Sequence, residues 1–235
     1  HTTVESPENV YQIIKERRKR QTDRKQGVHK RYLGQARSVM ACMALTLATM
    51  VVASSAYVAR SKGALRPDVV EVFANHAEIS KTAHDMGLYA TQPYDIEFGC
   101  DFYDPQQRSE LLQTLEEQYP RLVVVAYPGT LWSLLQELSC AGKGQAYRHK
   151  LKKRRRKEHV LLEFTKQIFE TQNRNGQDAL TEQPANSVSR ETAPIVAITE
   201  MPGVHQVVGD MCRFGLKHSE TGGPVRKRSW CATTS

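Results

Sequence analysis

Paired cysteines are missing from this chain. Its five cysteines, Cys42, Cys100, Cys140, Cys212 and Cys231, stand 58, 40, 72 and 19 residues apart, with no C-x-x-C pair and an odd total. That spacing argues against a disulfide framework or a structural zinc site and for free thiols in a reducing compartment, so an intracellular location, nuclear or cytoplasmic, is expected. Hydrophobic residues are also modest, at 40% of 235. With a mean hydropathy of −0.53, substantial polar segments must lie outside any packed core.

Several catalytic signatures are absent too. Gly142-Lys143-Gly144 lacks the spacing of a phosphate-binding P-loop. His76-Ala77-Glu78 has the H-x-E of zinc deaminases, but no P-C-x-x-C follows it. There is no G-x-S-x-G and no internal repeat. Asp95, Asp101 and Asp104 lack a distant fourth acid, so no metal site is expected. Nor is a cleaved signal peptide expected, since more than thirty residues precede the first apolar stretch. The chain starts at His1 rather than at a methionine, as a fragment, a processed product or a piece of a polyprotein would.

Charge is abundant but segregated, and the net +8 averages regions of opposite sign. Residues 1–37 hold ten Lys/Arg against four Asp/Glu, and residues 148–157 (RHKLKKRRRK) hold eight with no acid. Between them, residues 68–120 carry eleven Asp/Glu and only Lys81 and Arg108 as bases. A polyanion should therefore meet the flanks and avoid the acidic block. Lys150, Lys152, Lys153, Arg154, Arg155, Arg156 and Lys157 are the candidate nucleic-acid contacts. The same run also reads as a solvated helix face or a nuclear-targeting signal.

Four regions follow along the chain. Residues 1–37 form a basic extension that folds weakly by itself. Residues 38–60 begin with 22 uncharged residues, Ser38 to Ala59, long enough to span a bilayer. Six alanines and several Ser and Thr make this stretch only mildly hydrophobic, so it reads either as a buried helix or as a membrane span oriented positive-inside. Residues 61–216 show alternating strand and helix signals, and residues 217–235 read as a basic polar tail.

Within the third region, Val69 to Phe73 predicts a strand and His76 to Met86 a helix stopped by Gly87. An extended run from Leu88 reaches Asp95. Pro105 opens a second helix with Leu111, Leu112 and Leu115 on one stripe, and Arg121 to Ala126 predicts an almost wholly apolar strand. A helix over 158–173 stops at Asn175-Gly176. A weak strand over 179–184, a helix around 190–200 and a strand over 205–210 complete the pattern. Strands separated by helices predict a Rossmann-like, mostly parallel α/β sheet with ligand sites at the carboxyl ends of its strands, preceded by a basic helical extension.

The strand ends carry the candidate chemistry. Glu71-Val72-Phe73-Ala74-Asn75-His76-Ala77-Glu78 leaves an acid and small residues between a strand and a helix, where backbone N–H groups can meet a polar ligand. This stretch resembles motif I of class I S-adenosylmethionine methyltransferases, particularly the cytosine-C5 DNA methyltransferases, with Asn75 in place of a glycine. The resemblance implies S-adenosylmethionine as cofactor. It places Glu71, Phe73, Ala74, Asn75 and Tyr127 around that cofactor, Asp95 at the ribose-binding acid and Asp101 near the position that reads the adenine amine. Thr181-Glu182-Gln183-Pro184 looks like the Glu-Asn-Pro element of the same family, which implies Glu182 as the catalytic carboxylate.

In that family the segment matching Tyr127-Pro128-Gly129-Thr130 carries Pro-Cys, whose thiolate attacks the base. Here Gly129 stands in that position, and glycine has no nucleophile. Asp210 to Gly215 and Gly223 to Arg228 make the region from Asp68 onward similar to methyltransferase-like segments in copia-type retroelement polyproteins of algae and other protists. The resemblance implies a degenerate methyltransferase-like domain that contacts nucleic acid and other polyprotein segments. The open alternatives are an active methyltransferase acting on a nitrogen or oxygen of nucleic acid, and a non-enzymatic module tethered to a membrane through residues 38–59.

Overall fold

Strands β1 (Val69–Val72) and β2 (Leu122–Val125) each carry three valines in four residues, and every residue of both is buried. Such runs form strands because branched side chains suit a pleated surface. They stay dry because the sheet is covered on both faces. The computed structural model describes residues 66–234, so the expectations for residues 1–37 and 38–59 lie outside the described residues.

The sheet has five strands in the order β1-β2-β3-β5-β4, where β3 is Asp178–Pro184, β4 is His205–Asp210 and β5 is Arg228–Thr233. β1, β2 and β3 are parallel, and β5 runs antiparallel to both of its neighbours. The protein is thus a mixed α/β fold on a partly parallel sheet.

Helices α1 (Glu78–Asp85), α2 (Pro105–Gln118), α3 (Leu134–Arg174) and α4 (Ala193–Thr199) connect the strands. α2, α3 and α4 cover the face that carries Val70, Val123, Ala179 and Trp230. α1 packs Ile79 and Ala83 onto Val69, Leu122, Val124 and Leu180 of the other face. Among the described residues, no helix is long and apolar enough to cross a membrane.

Three expectations change. The run from Leu88 to Asp95 is not a ladder strand. It pairs with β1 in isolated parallel bridges, Val69↔Ala90 and Val72↔Tyr94, with the Tyr89 and Tyr94 carbonyls also accepting from Asp68 N–H and Phe73 N–H at 2.8 Å, and Pro93 between the bridges has no N–H to donate. Residues 217–235 are not simply a polar tail, because Arg228–Thr233 is β5, inserted between β3 and β4 with Trp230 fully buried.

The helix expected over 158–173 is the end of the much longer α3, which contains the basic run. Gly144 interrupts it with φ 75° and ψ −168°, a backbone conformation that favours glycine. Tyr147 Oη donates to Gln136 Oε1 at 2.6 Å, and Arg155 pairs with Glu137 at 2.6 Å. Eighteen residues along an unbroken helix would separate the latter pair by about 27 Å. Residues 134–143 therefore fold back on the arm that follows Gly144.

Candidate functional site

The site lies at the carboxyl ends of the parallel strands. Glu71, within β1, is buried, and its carboxylate accepts hydrogen bonds from Ser80 N–H at 2.7 Å, Ser80 Oγ at 2.7 Å and Ile79 N–H at 3.4 Å. It thereby satisfies N–H groups at the start of α1 that no helical carbonyl reaches. Burial raises its pKa, and the bonds from Ser80 and Ile79 oppose that rise. Glu71 shapes the site by fixing α1.

After β1 the backbone enters the left-handed region at alternate residues: Phe73 (φ 59°), Asn75 (φ 47°) and Ala77 (φ 54°). Asn tolerates this conformation; Phe and Ala do so at a cost that surrounding contacts must offset. For Phe73 the contacts are aromatic, with its ring edge-on to Phe102 at 5.3 Å and to Phe164 at 6.4 Å between centroids. Ala74 is buried beneath the loop.

Asn75 ties the loop to Asp95. Its N–H donates to Asp95 Oδ2 at 3.0 Å, while Asp95 Oδ1 accepts from Glu97 N–H at 3.0 Å. Each carboxylate oxygen retains acceptor capacity for a further donor. The structure thus brings Asn75 and Asp95 together across the crevice between β1 and the Leu88–Asp95 run. Ile96, next in the chain after Asp95, has 68% of its surface exposed.

A cavity of about 610 Å³ opens next to this contact, lined by Asn75, Ala77, Ser80, His84, Glu97 and Phe98 among others. Asp101 stands apart from it. Its Oδ1 accepts from Tyr103 N–H at 2.9 Å, and its own N–H donates to Gln107 Oε1 at 2.7 Å. Those bonds shape the turn that buries Phe102.

Tyr127 faces inward. It is 1% exposed, its hydroxyl shares a 2.9 Å hydrogen bond with Ser189 Oγ, and burial drives its pKa upward. Its carbonyl accepts from Gln183 Nε2 at 2.8 Å. That bond positions the Gln183 carboxamide beside Gly129, where a Cβ would lie 2.5 Å from Gln183 Oε1.

Gln183 is 4% exposed, and Oε1 has no hydrogen-bond partner. Glu182 points away from it, because successive residues of a strand face opposite sides of the sheet. Its carboxylate lies 3.8 Å from Lys227 Nζ on the α1 side, opposite Cys231. Burial raises its pKa, against the pull of Lys227 and Ser229. The side chain against Gly129 is therefore that of Gln183, and Glu182 lies on the opposite face of the sheet. Gln183 stands where the Glu-Asn-Pro-like element has Asn, but its approach to Gly129 depends on the sheet register.

The basic run divides in the same way. Lys150, Lys152, Lys153, Arg154, Arg156 and Lys157 are exposed on α3. Arg155 is half-buried, with Nε donating to the Leu131 carbonyl at 3.0 Å and its guanidinium 5.2 Å above the Trp132 ring. Arg155 is thus a structural member of the run. Glu158, one turn beyond Arg154, is 7% exposed, and burial pushes its pKa up to about 7 against the attraction of Arg154 and a contact with Trp132.

No family model, curated protein or solved structure matches this chain.

Proposed function

We propose that the chain is a Rossmann-like, methyltransferase-like domain whose covalent site is closed, and that it contacts nucleic acid through the outward basic face of α3. The observation that carries this reading is the Gln183 carboxamide in the space a side chain at residue 129 would need. A base presented to that point would meet a buried amide in place of a thiolate.

The cofactor half of the reading rests on Asp95. Its carboxylate, held by the Asn75 and Glu97 amides at the carboxyl end of the sheet, fits a ribose diol. The neighbouring cavity of about 610 Å³ is lined by Asn75 and Glu97 and not by Asp95, so it adjoins the carboxylate without enclosing it. Bound S-adenosylmethionine would supply an electrophilic methyl group. Asp95 would hold the ribose and Ile96 would flank the adenine, while Asn75 in place of glycine leaves less room for the methionine moiety. We therefore expect weak binding.

The nucleic-acid half rests on charge: six exposed Lys and Arg between Lys150 and Lys157. Such a surface neutralises phosphates without reading sequence. We place the domain in a mobile-element polyprotein, with other segments of that polyprotein as partners.

Calorimetry with S-adenosylmethionine and S-adenosylhomocysteine tests the cofactor. Millimolar-range binding supports the retained half-site, and absence of heat at that concentration removes it. Fluorescence anisotropy with unrelated DNA and RNA duplexes tests the basic face. Equal affinities that fall steeply with salt are expected, and no binding at low salt would end the nucleic-acid reading.

A further inference from the structure

Ala185-Asn186-Ser187 carries the chain out of β3, and the single turn Val188–Glu191 leads it into α4. Ser187 shapes that turn: its Oγ accepts from Ser189 N–H at 3.4 Å and lies 2.7 Å from Ser189 Oγ. The turn sets Arg190 and Glu191 next to each other on the wall of a cavity of about 330 Å³, which Asn186, Ser187, Gln206 of β4 and Trp230 of β5 also line. This cavity shares no lining residue with the one beside Asn75.

Arg190 is the fixed cation of the cavity. Its guanidinium lies 4.9 Å from the centroid of the Trp230 ring, and Nη1 donates to the Ala185 carbonyl at 2.8 Å. Trp230 is itself fully buried and anchored by a bond from Nε1 to Gln206 Oε1 at 3.0 Å. The charge nevertheless lacks a counter-ion. Arg190 is half-buried, its Nε is buried with no acceptor, and among the described residues it forms no ion pair. Charges withdrawn from water are ordinarily paired. Glu191, which is exposed, likewise has no cationic partner among the described residues.

One cation and one anion, adjacent in the chain and both unpaired, therefore line a cavity whose other polar side chains are neutral. That set of charges discriminates among ligands. A phosphate would meet Glu191 as a like charge, and a simple amine would meet Arg190 in the same way; a zwitterion meets each with its opposite.

We propose that this cavity binds the zwitterionic head of a small α-amino acid, with its carboxylate on Arg190 and its ammonium on Glu191. Guanidinium geometry suits a carboxylate, and the Asn186 and Gln206 carboxamides are available to a polar side chain. The volume stands at the low end of the roughly 300–1,000 Å³ range of small-molecule sites, so the ligand is a small one.

The test is fluorine NMR of the full chain with both of its tryptophans, Trp132 and Trp230, replaced by 5-fluorotryptophan. Trp132→Phe assigns the two lines. L-Serine in the millimolar range should shift the Trp230 line saturably and leave the Trp132 line in place, because Arg190 lies against Trp230. Propionate, propylammonium and inorganic phosphate should each bind more weakly by roughly tenfold or more, since each leaves one charge unpaired or opposed. Arg190→Met and Glu191→Gln should each weaken serine by a similar factor, and Glu191→Gln should strengthen propionate.

A Trp230 line that serine leaves unmoved at tens of millimolar overturns the proposal. Propionate or phosphate acting as strongly as serine also overturns it, because the cavity is then an anion site only. If Arg190→Met fails to fold, Glu191→Gln decides, since Glu191 is exposed: serine binding undiminished in that variant overturns the assignment.

Discussion

Gln183 Oε1 stands 2.5 Å from the place a Cβ on Gly129 would occupy. Gly129 itself has φ −96° and ψ −8°, a conformation open to any residue. The constraint at this position is therefore steric and lies in the neighbour, not in the backbone.

A double-mutant cycle measures that constraint. Gly129→Ala should destabilise the fold by about 1–3 kcal/mol through overpacking. Gln183→Ala should also cost stability, because Tyr127 O loses its donor. Together the two substitutions should cost less than their sum, with a coupling of at least about 1 kcal/mol in urea midpoints. Additive effects would mean that the carboxamide moves aside freely and that the site is not closed.

Asp95 permits a sharper separation of fold from binding. Asp95→Asn preserves an acceptor for one backbone amide while removing the charge-assisted bonds, so the stability loss should stay near 1 kcal/mol. Any calorimetric signal with S-adenosylmethionine should weaken at least tenfold. Undiminished binding in the variant would place the ligand elsewhere.

Within the basic run, two kinds of substitution should have different consequences. Alanine at Lys150, Lys153, Arg154 or Lys157 should weaken nucleic-acid binding equally across sequences, and each should lower the salt slope by about one. Arg155→Ala should instead destabilise the protein by about 1–2 kcal/mol, because it loses the Leu131 carbonyl, Glu137 and the Trp132 ring. A salt slope unchanged by the first set would mean that α3 is not the contact face.

Glu158 carries a pH dependence whose sign follows from burial. Its folded pKa is raised to about 7 from 4.5, so the folded state holds the proton more tightly than the unfolded chain does. Its favourable contribution is present below the unfolded value and is lost as pH rises through about 7. Glu158→Gln should therefore be more stable than the parent at pH 8, by on the order of 1–3 kcal/mol, with the gap closing by pH 5. Urea denaturation at the two pH values checks this, and a constant gap would refute it.

Local sequence was sufficient for β1, β2, α1 and α2. Apolar β-branched runs, Pro105 at a helix start and Gly87 and Pro120 as stops act over a few residues, and the structure follows them. β3 and β4 were also legible, as short, weakly patterned segments bounded by turn residues. Asp95 was visible as an acid at the end of an extended segment, and the structure sets its carboxylate 3.0 Å from Asn75 N–H.

Tertiary structure decided the rest. β5 was hidden because Gly222-Gly223 and Arg226-Lys227-Arg228 dominate its window, and its strand character comes from pairing with β3, 45 to 53 residues earlier, and with β4. The fold-back at Gly144 was equally silent, since its evidence is contacts between residues 11 and 18 apart. The choice of Gln183 over Glu182 at Gly129 depends on pleat parity and on the register that sets Val125 opposite Thr181. That register is a long-range property, and a shift of one residue would exchange the two side chains between the faces of the sheet.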